Sequence, residues 1–152
     1  MAIDVVTPSL LVGPAPYERD DYEQLLAKGV TAILSLQTPE DLGERTPAEV
    51  ESAAKAAHLT FRNVPVNDFD RLDLKRKLMR CVQSLHELVM AGHTVYVHCT
   101  AGVTRSPTVV AAYLHVHLGS SIEEAVERLR EVRRCSPEED VLRLALPAKD
   151  GV

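Results

Sequence analysis

TVYVHCTAGVTRSP, residues 94–107, runs from a β-rich apolar stretch through a glycine-bearing turn into a helix-forming segment. Thr94 to His98 (TVYVH) reads as a strand, and Ser106 to Leu118 as a helix ended by Gly119. Strand-like and helix-like segments alternate along the rest of the chain. Val30 to Leu36 (VTAILSL) is a continuous apolar run, the pattern of a strand covered on both faces. Before it come two short strands, Asp4–Val6 and Leu10–Val12, split by Pro8, and a helix from Glu18 to Lys28 closed by Gly29. Thr60 to Val66 adds a strand, with Pro65 marking an edge or an end. Leu74, Leu78, Cys81, Val82, Leu85, Leu88 and Val89 recur at helical spacing, which predicts a helix over 74–91 ended by Gly92. The fold class expected is therefore α/β, with a central, mostly parallel sheet flanked by helices.

Three helix starts carry a capping box, in which a hydroxyl and a Glu three residues on satisfy exposed N–H groups. They begin at Thr46, Ser121 and Ser136, and Pro47 and Pro137 stand at first helical positions, where a missing N–H is harmless.

The chain has 152 residues, a formal net charge of −5, 45% hydrophobic and 26% charged residues. Such a length and balance suit one globular domain spanning 1–152. No apolar stretch approaches the ~18 residues of a membrane span, and the early Asp4 without a basic leader does not read as a signal peptide. Three cysteines without paired spacing fit a reducing cytosol. Mild acidity disfavours a nucleic-acid surface. The expectation is a cytoplasmic monomer with neither nucleic acid nor membrane as partner.

In a sheet of this kind, sites lie at the carboxyl ends of the strands, which directs attention to the turn after Val97. Leaving a buried strand and entering a helix, it can aim successive N–H groups and the positive end of a helix dipole at one point. Gly102 allows backbone geometry that a side chain would block. Arg105 offers a planar fork for two oxygens of a phosphoryl group. Cys99, at the mouth of this cradle, is surrounded by groups that favour its thiolate, the nucleophilic form. Cys81, on an apolar helical stripe, reads as structural, and Cys135, at a helix end, as structural or incidental.

HCTAGVTRS, residues 98–106, matches the His-Cys-x-x-Gly-x-x-Arg-Ser/Thr signature and so resembles the cysteine-dependent protein tyrosine phosphatase superfamily. The compact size is similar to its dual-specificity branch, and the similarity runs from LLVG near Leu10 through LQTPEDL at 36–42 to the C-terminal helices. The resemblance implies a protein tyrosine phosphatase-like fold of dual-specificity type. It also implies phosphate monoester hydrolysis through a cysteinyl-phosphate: Cys99 as nucleophile, His98 and residues Thr100, Ala101, Gly102, Val103 and Thr104 as the phosphate-binding loop with Arg105, and Ser106 bonding the departing thiolate. His98 would hold the loop through hydrogen bonds. No metal or other cofactor is implied. His115 and His117 stand two apart on a helix, and His58, His86 and His93 have no ligand spacing.

The resemblance further implies an aspartate about 30 residues before the nucleophile, on a loop after a strand. VPVNDFDRLDL, residues 64–74, supplies Asp68, Asp70 and Asp73. Asp68, directly after the strand, is the expected general acid; Asp73 reads as the N-cap of the helix at Leu74 and Asp70 as a turn residue, with either held as an alternative acid. NDFDRLDL, VYVHCTAG and RRCSPEEDVL are also similar to plant glucan phosphatases and laforin, in which an aromatic matching Phe69 lines the substrate channel. Thr104 and Ser136 depart from that pattern, which favours Gly and an aromatic there. A phosphorylated protein is therefore the leading substrate, with phosphoglucan as the alternative, a lipid phosphate third, and an idle phospho-binding module as the reading from another class. Lys75, Arg76, Lys77 and Arg80 read as a solvated helix face.

Overall fold

The computed structural model describes residues 1–147; residues 148–152, the end of the domain expected over 1–152, lie outside the described residues. In chain order the strands are β1 (Asp4–Thr7), β2 (Leu10–Gly13), β3 (Ala32–Ser35), β4 (Thr60–Asn63) and β5 (Val95–His98). The helices are α1 (Arg19–Ala27), α2 (Pro47–Ala56), α3 (Arg71–Met90), α4 (Arg105–Leu118), α5 (Ile122–Val132) and α6 (Glu139–Ala145), with a 3-10 turn at Pro39–Leu42. The sheet order is β1-β2-β5-β3-β4, parallel throughout except for the β1–β2 pair. This is the expected mostly parallel sheet flanked by helices. Among the described residues no helix is long and apolar enough to cross a membrane.

The period-2 alternation of the strands divides the core in two. Leu10, Val12, Leu34, Val95 and Val97 point to one face, against Leu78, Leu85, Val109 and Ala112 of α3 and α4. Leu11, Ile33 and Tyr96 point to the other, against Tyr22, Leu25, Ala54 and Leu59 around α1 and α2. Every residue of β2, β3 and β5 is buried, which accounts for their continuous apolar character. β4 lies at the edge and is half-exposed; past it Pro65, which has no N–H, sits between Val64 and Val66, which still donate to Ser35 O and Leu36 O.

Register decides where the loops meet. Gly13 and Ser35 both stand opposite His98, so β2, β3 and β5 end level. The segments that follow them, around Ala15, Asp41 and residues 99–105, leave the sheet at one edge.

Two local expectations are corrected. α3 begins at Arg71 rather than Leu74, because Asp70 is its N-cap and accepts from the Asp73 N–H at 3.0 Å. Asp73, expected as the cap, is instead a buried residue of the first turn. The box expected at Ser136 does not form either. Glu138 is the N-cap of α6, and the Ser136 N–H is drawn to Val103 O at 2.7 Å. The Ser121–Glu124 box forms in both directions, whereas at Thr46 the structure has the hydroxyl accepting from the Glu49 N–H.

Candidate active site

The turn from β5 to α4 is shaped by what its carbonyls do. Cys99 O accepts from His98 Nδ1 at 2.9 Å and Thr100 O from the Ala15 N–H at 3.0 Å. Ala101 O and Gly102 O accept from Nη2 and Nε of Arg133, at 3.1 and 2.7 Å. Val103 O accepts from the Ser136 N–H, and Thr104 O from both the N–H and the hydroxyl of Thr108. All six carbonyls from 99 to 104 are therefore held by groups around the loop. In a planar trans peptide the C=O and the following N–H point in opposite directions. The N–H groups of residues 100–105, donors in none of these bonds, consequently face the concave side, at the N-terminus of α4. That is an anion cradle.

Gly102 has φ +72°, and a Cβ there would lie 2.6 Å from the Gly13 carbonyl carbon and 2.7 Å from Arg133 Nη2. Only glycine fits the bend and its backing. At the base of the cradle, Cys99 Sγ and Ser106 Oγ are 3.3 Å apart and both residues are buried.

Arg105 is buried beneath the loop. Its Nη1 donates to Asp41 Oδ2 and to Val66 O, both at 2.8 Å, and its Nη2 donates to Asp41 Oδ1 at 3.2 Å and to Thr100 Oγ1 at 3.3 Å. Nε is buried without a hydrogen-bond partner among the described residues. A buried guanidinium donor left unmatched beside N–H groups that donate in none of the loop's bonds among the described residues fits an oxyanion ligand. Asp41 is itself fixed by the Thr38 N–H and hydroxyl and accepts from the Thr100 hydroxyl. Burial alone would raise its carboxyl pKa, but the Arg105 guanidinium and the Thr38 N–H outweigh burial and hold it at about 2.

The three candidate acids occupy different places. Asp70 caps α3. Asp73 accepts from the Asn67 N–H at 2.8 Å and from Lys77 Nζ at 3.1 Å. Burial pushes its pKa up, but those two donors win and keep the carboxyl below the usual range. Asp73 thus anchors the loop that carries Asp68. Asp68 faces the cradle, with Oδ2 3.3 Å from Arg105 Nη2. Beside it Phe69 is fully exposed with φ +57°, held in the left-handed region that a bulky residue rarely adopts. Asp68, Phe69, Thr104 and Arg105 wall a pocket of about 260 Å³.

The profile of the dual specificity phosphatase catalytic domain matches residues 19–144. The chain belongs to that family. Phosphoglucan phosphatase LSF1, chloroplastic, of Arabidopsis thaliana is 31% identical over 140 residues, 91% of this chain and 24% of that protein. Phosphatidylglycerophosphate phosphatase PTPMT2 of the same plant is 32% identical over 130 residues, 86% of this chain and 54% of that protein. The chain thus spans only part of the length of these relatives. Among solved structures, Tk-PTP in the active form superposes with a TM-score of 0.77 at 24% identity, covering 95% of this chain and 92% of that one. It shares the fold.

Two residues of this dual-specificity domain carried no role in the sequence reading. Asp41 lies in LQTPEDL, and its signal was available: Thr38 and Asp41 flank Pro39 in a capping box like those read elsewhere, with Asp in place of Glu. Arg133 gave no such signal, since it acts 31 residues from Gly102 and is itself tied to Asp4 at 2.8 Å and to Ala2 O. His98 is buried, and burial pushes its imidazole down to about 4, so it is neutral; since Cys99 O can only accept, its Nδ1 carries the proton. Among the described residues no group of three or more His, Cys, Asp or Glu could hold a metal ion. His115 binds Ser120 O, and the His117 ring stacks on His86 at 3.7 Å.

Proposed function

We propose that this chain hydrolyses phosphate monoesters through a cysteinyl-phosphate. The observation that supports the proposal is the loop itself: the carbonyls of residues 99–104 are all held by surrounding groups, the buried Cys99 Sγ lies 3.3 Å from Ser106 Oγ, and the buried Arg105 has an Nε without a partner among the described residues. In the first step the Cys99 thiolate forms an S–P bond as the P–O bond to the leaving group breaks. Asp68 gives its proton to the departing oxygen. The N–H groups of 100–105 and Arg105 hold the equatorial oxygens, where charge has to be stabilised. In the second step water attacks phosphorus, its proton passing to Asp68, while the S–P bond breaks and the Ser106 hydroxyl bonds the released thiolate. The product is inorganic phosphate.

The substrate we infer is a phosphorylated protein carrying phosphotyrosine, phosphoserine or phosphothreonine. Phe69 is the only aromatic in the pocket wall among the described residues, whereas a glucan chain binds by stacking on several rings. Phosphoglucan remains the second reading, favoured by the exposed Phe69 and by the 31% identity to a protein named as a phosphoglucan phosphatase. We place the enzyme in the cytoplasm as a monomer; its three free cysteines, one of them the nucleophile, suit a reducing compartment. The test is phosphate release from a phosphotyrosyl peptide and from phosphorylated amylopectin, each scaled to p-nitrophenyl phosphate turnover with Cys99→Ser as blank. Peptide turnover above that scale supports the proposal. Amylopectin turnover alone transfers it to glucans, and silence on all three makes the domain a phospho-binding module.

A further inference from the structure

A second groove adjoins the catalytic pocket. It has a volume of about 600 Å³ and lies between the first turns of α3 and the body of α6, with Leu72, Lys75, Val141 and Leu144 among its lining residues. Arg71 lines both spaces. Its Nε meets Glu138 of the catalytic pocket at 3.1 Å and its Nη2 meets Asp140 of the groove at 3.0 Å, so this ion-paired side chain is the saddle between them.

The lining has a definite chemistry. Leu72 and Leu144 are 60% and 69% exposed, large apolar side chains facing solvent on either wall. Of the three cations, Arg71 is neutralised by Glu138 and Asp140, and Arg143 by Glu123 and Glu139. Lys75 makes no ion pair among the described residues. The groove therefore offers one apolar cleft and, at Lys75, one cation with no ion pair among the described residues. A lipid surface would call for a net basic face, whereas two of the three cations here are cancelled. A sugar polymer would call for rings, and no aromatic lines the groove.

We infer that this groove is a specificity subsite for the polypeptide flanking the phosphorylated residue, taking one apolar side chain between Leu72 and Leu144 and one carboxylate at Lys75. The inference rests on the phosphoprotein reading of the catalytic pocket. Along α3, Lys75 lies about 6 Å beyond Arg71, which an extended chain covers in about two residues. The acidic preference accordingly falls about two residues beyond the point where the peptide crosses Arg71, on one side of the phosphoresidue only.

The experiment measures kcat/KM of the full chain on phosphotyrosyl peptides of alanine and glycine, with Leu and Asp moved together through each position on both sides. The expected result is about a tenfold gain for one placement on one side. Lys75→Glu should abolish the gain from Asp, and Leu144→Ser the gain from Leu, with p-nitrophenyl phosphate turnover unchanged in both. Peptide turnover with no positional preference, or a preference that survives both substitutions, overturns the subsite while leaving the phosphoprotein reading intact. Turnover of p-nitrophenyl phosphate without any peptide turnover overturns both. Faster release from phosphatidylcholine vesicles carrying phosphatidylinositol phosphate than from any peptide, lost in Leu144→Ser, would reassign the groove to lipid.

Discussion

Replacing Asp41 by Asn keeps the side chain's shape and one acceptor oxygen but removes the charge that pins Arg105. The carboxylate is 12% exposed and the guanidinium 4%, and the two are joined at 2.8 and 3.2 Å, so solvent does little to screen the pair. A carboxyl held at about 2 instead of its ordinary 3.8 contributes about 2 kcal/mol to folding at neutral pH. Because its pKa in the folded state is lowered, that contribution is present in full above the unfolded value and is lost as the pH falls through about 2. Urea denaturation should therefore show Asp41→Asn less stable by about 2 kcal/mol at pH 7, with the gap narrowing as the pH is taken down towards 2. Activity should fall as well. With Asp41 replaced by Asn, Arg105 keeps Val66 O, the Thr100 hydroxyl and one amide oxygen but loses the charged two-point fixation, and a misplaced donor of this kind costs about a hundredfold in rate. The assay is kcat/KM for p-nitrophenyl phosphate on both proteins. A variant within twofold of the parent in kcat/KM and equal to it in stability would refute the claim that Asp41 positions Arg105.

Arg133→Met should lower kcat/KM about a hundredfold and weaken vanadate binding while the far-ultraviolet circular dichroism stays unchanged, since Ala101 O and Gly102 O lose the donor that turns them outward; Asp4→Asn should do the same more mildly. Gly102→Ala should inactivate more completely than either, because the new methyl meets the Gly13 backbone, which cannot swing aside, as well as Arg133, and kinetics beside thermal melts would separate lost catalysis from lost fold. Asp68→Asn should lower kcat by about a hundredfold; an unchanged kcat would hand the acid's role to another group. Iodoacetamide should label Cys99 ahead of Cys81, whose thiol burial pushes up to about 12, and of Cys135, which burial also raises; equal labelling by peptide mass spectrometry would contradict the account.

What could be read from the chain was what is local in it. β5, the turn and the start of α4 are contiguous, so HCTAGVTRS carries its own context, and the apolar run around β3 announces a strand buried on both faces. Helix boundaries were less legible. Asp70 and Asp73 both stand where a cap could be, and the choice fell to Asp70 because the Asn67 N–H and Lys77 compete for the Asp73 carboxylate. Ser136 failed as a cap for a similar reason, its N–H being drawn to Val103 O.

The long-range contacts that support the loop were invisible for a different reason, although the local box around Asp41 was not. Asp41 reaches Arg105 only because β3 and β5 end level, and Arg133 reaches Gly102 only because α5 returns beside β1. These are consequences of register and topology. No spacing along the chain encodes them.

The central claim is that Cys99 becomes covalently phosphorylated during turnover. The most direct measurement is acid-quenched mass spectrometry of the Ser106→Ala variant mixed with p-nitrophenyl phosphate, since this variant should release the thiolate slowly and accumulate the intermediate. The account predicts one phosphoryl group, on the peptide bearing Cys99 and on no other, and no turnover by Cys99→Ser. An enzyme that turns over without that adduct, or that survives Cys99→Ser, would contradict it.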